Sequence, residues 1–390
     1  MKNGFEKSLC FLRQRYATEP FMALIAVLYA VFVLIYFFMP VLTSGEQPLT
    51  DYISFWVGGM EMNAGLPGNI FNEPLFKEKQ VEELGRYFEG ILPWVISPSF
   101  MLYAAPLAKL PYIVSILTFN VLSLIIYAAS LWYLFPRRKV LLAMLCMPSV
   151  LFCLYHGQTG LMSAALIAGC LFFYERKPLL AGLVLGLLIY KPQIGILFPV
   201  AFLAARQWKT IMGAAVTAVS SILLSIFFFG WTIWDLYLFH NAKTFEHLIE
   251  TQHSFARIQT VFGLVRVITG SSSIAMIAQA ICAVIVAIIV FMVWRNKLPF
   301  ELKALVLVIG ICFSTPYLQL YDLTILSIAF VLFFRWGNIN GFIEGDKEWL
   351  TCVGLILFFG VFLPVGVLCS LIMGWRVSLH IRQYMLQNIE

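Results

Sequence analysis

Long apolar runs recur along this chain, and nearly all of them end at a small cluster of lysine and arginine. "PRRK" (Arg137, Arg138, Lys139), "ERK" (Arg176, Lys177), "RQWK" (Arg206, Lys209) and "WRNK" (Arg295, Lys297) punctuate the middle of the sequence. Lys2, Lys7, Arg13 and Arg15 precede the first run, and Arg335, Lys347, Arg376 and Arg382 follow later ones. Cytoplasmic loops of membrane proteins collect such residues. If every cluster lies on one side, each interval between clusters must cross the bilayer an even number of times. Composition leaves no water-soluble alternative: 61% of the 390 residues are hydrophobic and only 12% are charged, more apolar side chain than a soluble domain could bury.

These constraints predict an all-α, polytopic membrane bundle of about twelve spans, a single integral domain over 1–390 with both termini cytoplasmic. The first span falls at roughly 21–42 and leads to a long external loop, 43–110, containing juxtamembrane helices. A span at 111–135 returns to "PRRK". Two hairpins follow, 140–155 with 160–174 and 178–190 with 194–206. A span at 210–230 leads to a second external loop, 231–268, and 271–294 returns. Two more hairpins, 304–315 with 323–335 and 349–363 with 366–384, complete the map, the last turning at Pro364. Arms of about 13 residues reach only roughly 20 Å, so the second hairpin tip is expected to lie recessed in a cavity open to the outer face. Within the first loop, "EPLFKEKQVEELGRYFEG" suits an amphipathic interfacial helix, and "WVISPSFMLYAAPLAKLP" is too short to span and should pack on the bundle.

Several functions are set aside by the same reading. The net charge of +6 is dispersed in topology-setting clusters, which argues against nucleic acid as a partner and for the lipid bilayer. The eight cysteines form no CxxC and no ligand spacing, so they read as small core residues. There is no GxGxxG and no P-loop. The first apolar run is too long for a cleavable signal peptide and lacks a small-residue cleavage site.

Under this topology the polar exceptions gather on the outer side. They are Asp51; His156 and Gln158 in "YHGQTG"; Lys191 and Gln193 in "YKPQ"; and Tyr317, Gln319, Tyr321 and Asp322 in "TPYLQLYD". The second loop adds His240, His247, His253, Arg257 and Gln259. A lysine within an apolar helix costs roughly 2.5–3.5 kcal/mol on insertion scales, a cost relieved by a watery cavity and further by an anion. Phosphate is the natural ligand for such a compact charge. Each residue also has a plain structural reading. Asp51 could cap the helix it precedes. Lys191 could snorkel to the interface. His156 could be a satisfied helix-end histidine, and Gln158 could serve freed backbone at the tip. Tyr317, Tyr321 and Asp322 could form an aromatic belt with one solvated acid. Arg257 could be an ordinary loop charge, and Glu61 and the "EKQVEELGR" run a solvated helix face.

The segments "DYISFWVGGMEMNAGLPGNIFN", "SPSFMLYAAPLAKLP", "HGQTGLMSAALIAG", "ERKPLLAGLVLGLLIYKPQIGILFPVAFLAARQWK", "FFGWTIWDLYL", "RIQTVFGLVR" and "STPYLQLYDL" occur in an order that resembles family 87 of the glycosyltransferases. These are GT-C membrane enzymes related to polyprenol-phosphate-mannose-dependent α-mannosyltransferases. Where the family usually has Tyr-Pro-Pro, this chain has Ile96-Ser97-Pro98. The resemblance implies a GT-C-like fold and inverting transfer of a hexose, with mannose expected. The donor would be a polyprenyl-phosphate sugar and the acceptor an outer-face glycolipid or glycan. The family's acidic residue early in the first external loop is matched by Asp51, which would be the general base. Lys191 and Arg257 would stabilise the leaving phosphate. Gln193, His156, Gln158, Tyr317, Tyr321 and Asp322 are the other candidates for substrate contact. No metal or cofactor is strictly required, because the lipid phosphate is its own leaving group. The site would face the periplasmic side of a bacterial inner membrane. A lipid or glycolipid transporter or flippase is the alternative. It would need a polar path to both faces and two similar halves, which the one-sided polar residues do not suggest. A non-catalytic scaffold would leave Asp51 freely replaceable.

Overall fold

The computed structural model describes residues 43, 47–240 and 257–388, so the expected first span at 21–42 lies outside the described residues. Regular structure among the described residues is helical, with one isolated antiparallel bridge between Ile258 and Gln319. The external segment holds α1 (Tyr52–Asn63), α2 (Glu73–Leu84) and the short α3 (Met101–Leu107). Then come α4 (Tyr112–Leu134), α5 (Arg138–Leu145), α6 (Pro148–His156), α7 (Gly160–Phe173), α8 (Pro178–Gly186), α9 (Leu197–Ala204) and α10 (Trp208–Phe229). Further on lie α11 (Val261–Thr269), α12 (Ser272–Arg295), α13 (Phe300–Ser314), α14 (Leu326–Asn340), α15 (Asp346–Ile356) and α16 (Val365–Gln387).

Among the described residues, five helices are long and apolar enough to cross a bilayer: Tyr112–Leu134, Trp208–Phe229, Ser272–Arg295, Leu320–Asn340 and Val365–Gln387. They become six if α5 and α6, bent by 51° at their junction, form one broken span. The expected total of about twelve spans is therefore not reached by full-length helices. The physical reason is arm length. α7 has 14 residues and α13 has 15, about 20 Å of helix against a hydrocarbon core of about 30 Å. The arms either side of Lys191 are as short, because α8 tightens into a 3-10 turn at Leu187–Tyr190 and another, Pro192–Gly195, precedes α9.

The long helices differ in how much of their surface they bury. In α10 and α12 only 11% and 17% of the most apolar stretch is buried. Their outward faces carry Val216, Val219, Leu223 and Phe227, and Ile277, Ile281, Val284 and Ile288, the surface expected against lipid. The span Leu320–Asn340 is 83% buried and forms the centre. α8 meets α10 backbone to backbone: a Cβ on Gly182 would collide with the carbonyl oxygen of Thr210, the small-residue contact typical of membrane helix pairs.

The external segment follows its pattern. α2 buries Phe76, Gln80 and Leu84, spaced four apart, and turns Lys79 and Glu82 outward as an exposed ion pair. Glu61, buried in α1, does not follow the solvated-face reading. At the C-terminal end, a buried cluster ties α14, α15 and α16 together. Asp346 accepts from Arg376 Nε at 2.8 Å and lies 2.9 Å from His380 Nε2. Trp336 Nε1 donates to His380 Nδ1 at 3.0 Å, which assigns the ring proton to Nε2 and aims it at Asp346.

Candidate active site

Asp51 occupies the N-cap position of α1, but its side chain makes no capping bond. Its neighbours are clamped to the start of α4: Thr50 Oγ1 lies 2.9 Å from Tyr112 Oη, and Tyr52 Oη lies 2.7 Å from Ser115 Oγ. Burial pushes the Tyr52 hydroxyl above the ordinary tyrosine range, with the Ser115 bond opposing it. The Asp51 carboxylate is thereby turned toward the α6–α7 tip. Its Oδ1 lies 3.1 Å from His156 Nδ1, and its Oδ2 accepts from Gln158 Nε2 at 3.1 Å.

Two glycines of "HGQTG" make that approach possible. Gly157 ends α6 with φ +64°, a left-handed turn, and a Cβ there would come within 2.6 Å of Tyr52 Cβ. At Gly160 a Cβ would collide with the carbonyl oxygen of Tyr321, so the bare backbone lets α7 begin directly against the "TPYLQLYD" tip. His156 is further held by Phe152, whose ring stacks on it at 5.5 Å from the preceding turn of α6.

Lys191 sits between two 3-10 turns and is 8% exposed. Its Nζ donates to Asp322 Oδ1 at 2.8 Å and lies 5.3 Å from the Tyr321 ring centre. It is therefore buried and paired, and does not snorkel. Asp322 departs from both readings of the sequence. It is 2% exposed, no solvated acid, and sits behind Lys191 outside the cavity, where its Oδ2 accepts from the Gln319 backbone. The Lys191 turn is itself held from the external segment: the Ser97 N–H donates to the Tyr190 carbonyl at 3.1 Å, and Ser97 Oγ donates to that of Ile189 at 3.1 Å.

These groups border one cavity of about 490 Å³. Asp51, His156, Gln158, Lys191, Gln193 and Arg257 face it, together with Tyr317, Gln319 and Tyr321. The Ile258–Gln319 bridge brings the Arg257 segment to this position, and Gln259 anchors it by bonding the carbonyl of Gly360 and the amide of Gly366. Arg257 is exposed and forms no ion pair among the described residues. His240 stands apart, 3.6 Å from Glu73 and packed on Phe71, and His247 and His253 lie outside the described residues. The sequence reading missed Ser54, Phe55 and Phe152 as cavity walls. Phe152 had a signal, standing four residues before His156 on the same helix face.

The structure is thus a helical membrane bundle with a cavity that brings together a held carboxylate, a buried lysine and an exposed arginine. The chain belongs to glycosyltransferase family 87, whose family model matches residues 94–316, more than half of its length. It is thus a membrane glycosyltransferase. No curated protein and no solved structure matches it. The matched region takes in His156, Gln158, Lys191, Gln193 and Arg257; Asp51, Tyr317, Tyr321 and Asp322 lie beyond it.

Proposed function

We propose that this enzyme transfers a hexose, with mannose the expected sugar, from a polyprenyl phosphate to a glycolipid or glycan acceptor, with inversion. The observation that supports this reading most directly is the Asp51 carboxylate, held by His156 and Gln158 on the wall of the cavity that also receives Lys191. The acceptor hydroxyl attacks the anomeric carbon from the side opposite the phosphate, and the carbon–oxygen bond to phosphate breaks. Asp51 takes the hydroxyl proton. Each of its oxygens already accepts one bond and retains a second acceptor site. The departing polyprenyl phosphate carries the electron pair, and its charge is met by the remaining N–H groups of Lys191 and by the Arg257 guanidinium. Asp322 orients Lys191 without touching substrate. Gln193, Tyr317 and Tyr321 line the donor's sugar and phosphate.

In this reading both termini are cytoplasmic, the short arms pair into a twelve-span bundle, and the cavity opens to the outer face of a bacterial inner membrane. A metal is not strictly required in this reading, because the lipid phosphate is its own leaving group. The test is reconstitution of the purified protein with polyprenyl-phosphate mannose and extracted membrane glycolipids, read by mass spectrometry. A hexose mass increment on an acceptor, with release of polyprenyl phosphate, supports the proposal. Movement of intact lipid-linked sugar across the bilayer with no increment would favour a flippase instead.

A further inference from the structure

A second cavity, of about 870 Å³, lies at the other ends of the helices that carry the first. It is bordered by the α7–α8 turn, the α9–α10 turn and the α12–α13 turn, a full length of the 14-residue α7 from His156 and Gln158. Four cations converge on it, Arg206, Arg295, Lys297 and Lys303, against the single carboxylate of Glu175. None of the five closes an ion pair among the described residues.

Arg206 carries an independent mark. Among the described residues it is the one non-glycine with positive φ, +55°. It stands just past the end of α9, where the Gln207 N–H reaches back to the Phe202 carbonyl at 2.8 Å and the Arg206 N–H to that of Leu203 at 3.1 Å. That is the helix-ending turn in which glycine is the usual residue, because a side chain there crowds the backbone. An arginine at such a position costs stability that glycine would not, and it places a guanidinium on the cavity wall. Setting loops on the cytoplasmic side needs basic residues but requires neither a cavity nor a strained turn.

The rim is apolar. Leu203 and Phe291 are exposed beside the charges, and Phe291 continues into the exposed stripe of Ile281, Val284 and Ile288 along α12. A ligand with a charged end and a hydrocarbon end fits this layout better than a free ion does. The cavity also lies at the level of "ERK", "RQWK" and "WRNK", the face that the charge distribution assigns to the leaflet richest in anionic lipid.

We propose that this cavity binds the phosphodiester headgroup of an anionic phospholipid, with Arg206 and Arg295 as planar hydrogen-bond donors, Lys297 and Lys303 as point charges, and an acyl chain lying along α12. Native mass spectrometry of the full-length protein tests it, after exchange into micelles containing phosphatidylglycerol and phosphatidylcholine of matched chains. The expected result is one tightly retained phosphatidylglycerol. In Arg206→Gly/Lys297→Gln its affinity should fall about tenfold or more. Glycine suits the turn, so the melting temperature should hold. Neutralising "PRRK" (Arg137→Gln, Arg138→Gln, Lys139→Gln) removes three charges away from the cavity, one more than the double variant, and should leave that lipid bound. Equal retention by the double variant, or equal loss in the "PRRK" variant, would overturn the proposal. Displacement of the lipid by millimolar inorganic phosphate would overturn it in favour of a free-anion site.

Discussion

Asp51 and His156 are 105 residues apart in the chain, yet a carboxylate oxygen of one lies 3.1 Å from Nδ1 of the other. With Gln158 on the second oxygen, the carboxylate is fixed in orientation while 28% of the side chain stays exposed to the cavity. A base must be both held and reachable, and this arrangement meets both requirements.

Asp51→Asn keeps the shape and one acceptor oxygen but removes the basic group. Transfer activity should fall by about 10²–10⁴-fold, the usual worth of a general base, with little change in melting temperature. Turnover at the wild-type rate would rule out the proposed role.

His156→Asn should act through Asp51. Loss of the ring leaves the carboxylate less well oriented, so kcat is expected to drop by about tenfold, less than in Asp51→Asn. Because the two residues form one unit, the double variant should be no slower than Asp51→Asn alone. Losses that multiply would assign His156 an independent step, which the rates of the four proteins would reveal.

Removing Lys191 alone leaves Asp322 buried and without its ion-pair partner. Lys191→Met should therefore destabilise by roughly 3–5 kcal/mol as well as weaken donor binding, and Asp322→Asn should be similarly costly. The double variant Lys191→Met/Asp322→Leu should recover much of the stability without recovering donor affinity. Thermal unfolding and donor titration of the three variants separate the two effects.

The Ser97 N–H donates to the Tyr190 carbonyl at 3.1 Å. The Ser97 φ of −61° suits proline, but Ser97→Pro removes the N–H and sets the ring carbon against the Tyr190 carbonyl oxygen, so it should cost more than the roughly 1 kcal/mol of the lost hydrogen bond. Because that contact holds the Lys191 turn, the KM for donor should rise about two- to fivefold with kcat little changed. An unchanged KM would separate Ser97 from the positioning of Lys191.

Much of the polar geography was legible in the sequence. A lysine, a histidine or a glutamine interrupting an apolar run is costly enough to need a reason, and the interruptions did converge on one cavity. Their partners were not legible. Lys191 and Asp322 are 131 residues apart, and no local pattern announces that the acid is buried behind the base. Hydropathy also cannot separate a short helix that crosses from one that is simply interior, which is why the sequence predicts about twelve spans where, among the described residues, five or six helices have the necessary length. The Asp346–Arg376–His380 cluster passed unread, although Arg376 and His380, four apart on one helix, share a face.

The contrast between the long, lipid-facing α10 and α12 and the short arms that carry His156, Gln158 and Lys191 has a mechanical corollary. α10 and α12 are long enough to cross and little buried, so they offer a full bilayer's length of apolar surface to lipid, while α7 and the short arms beside Lys191 set the depth of the cavity floor. Lengthening an outer helix by a turn would retune the protein to a thicker host membrane, while a single residue added to α7 or α8 would shift the plane at which sugar and acceptor meet.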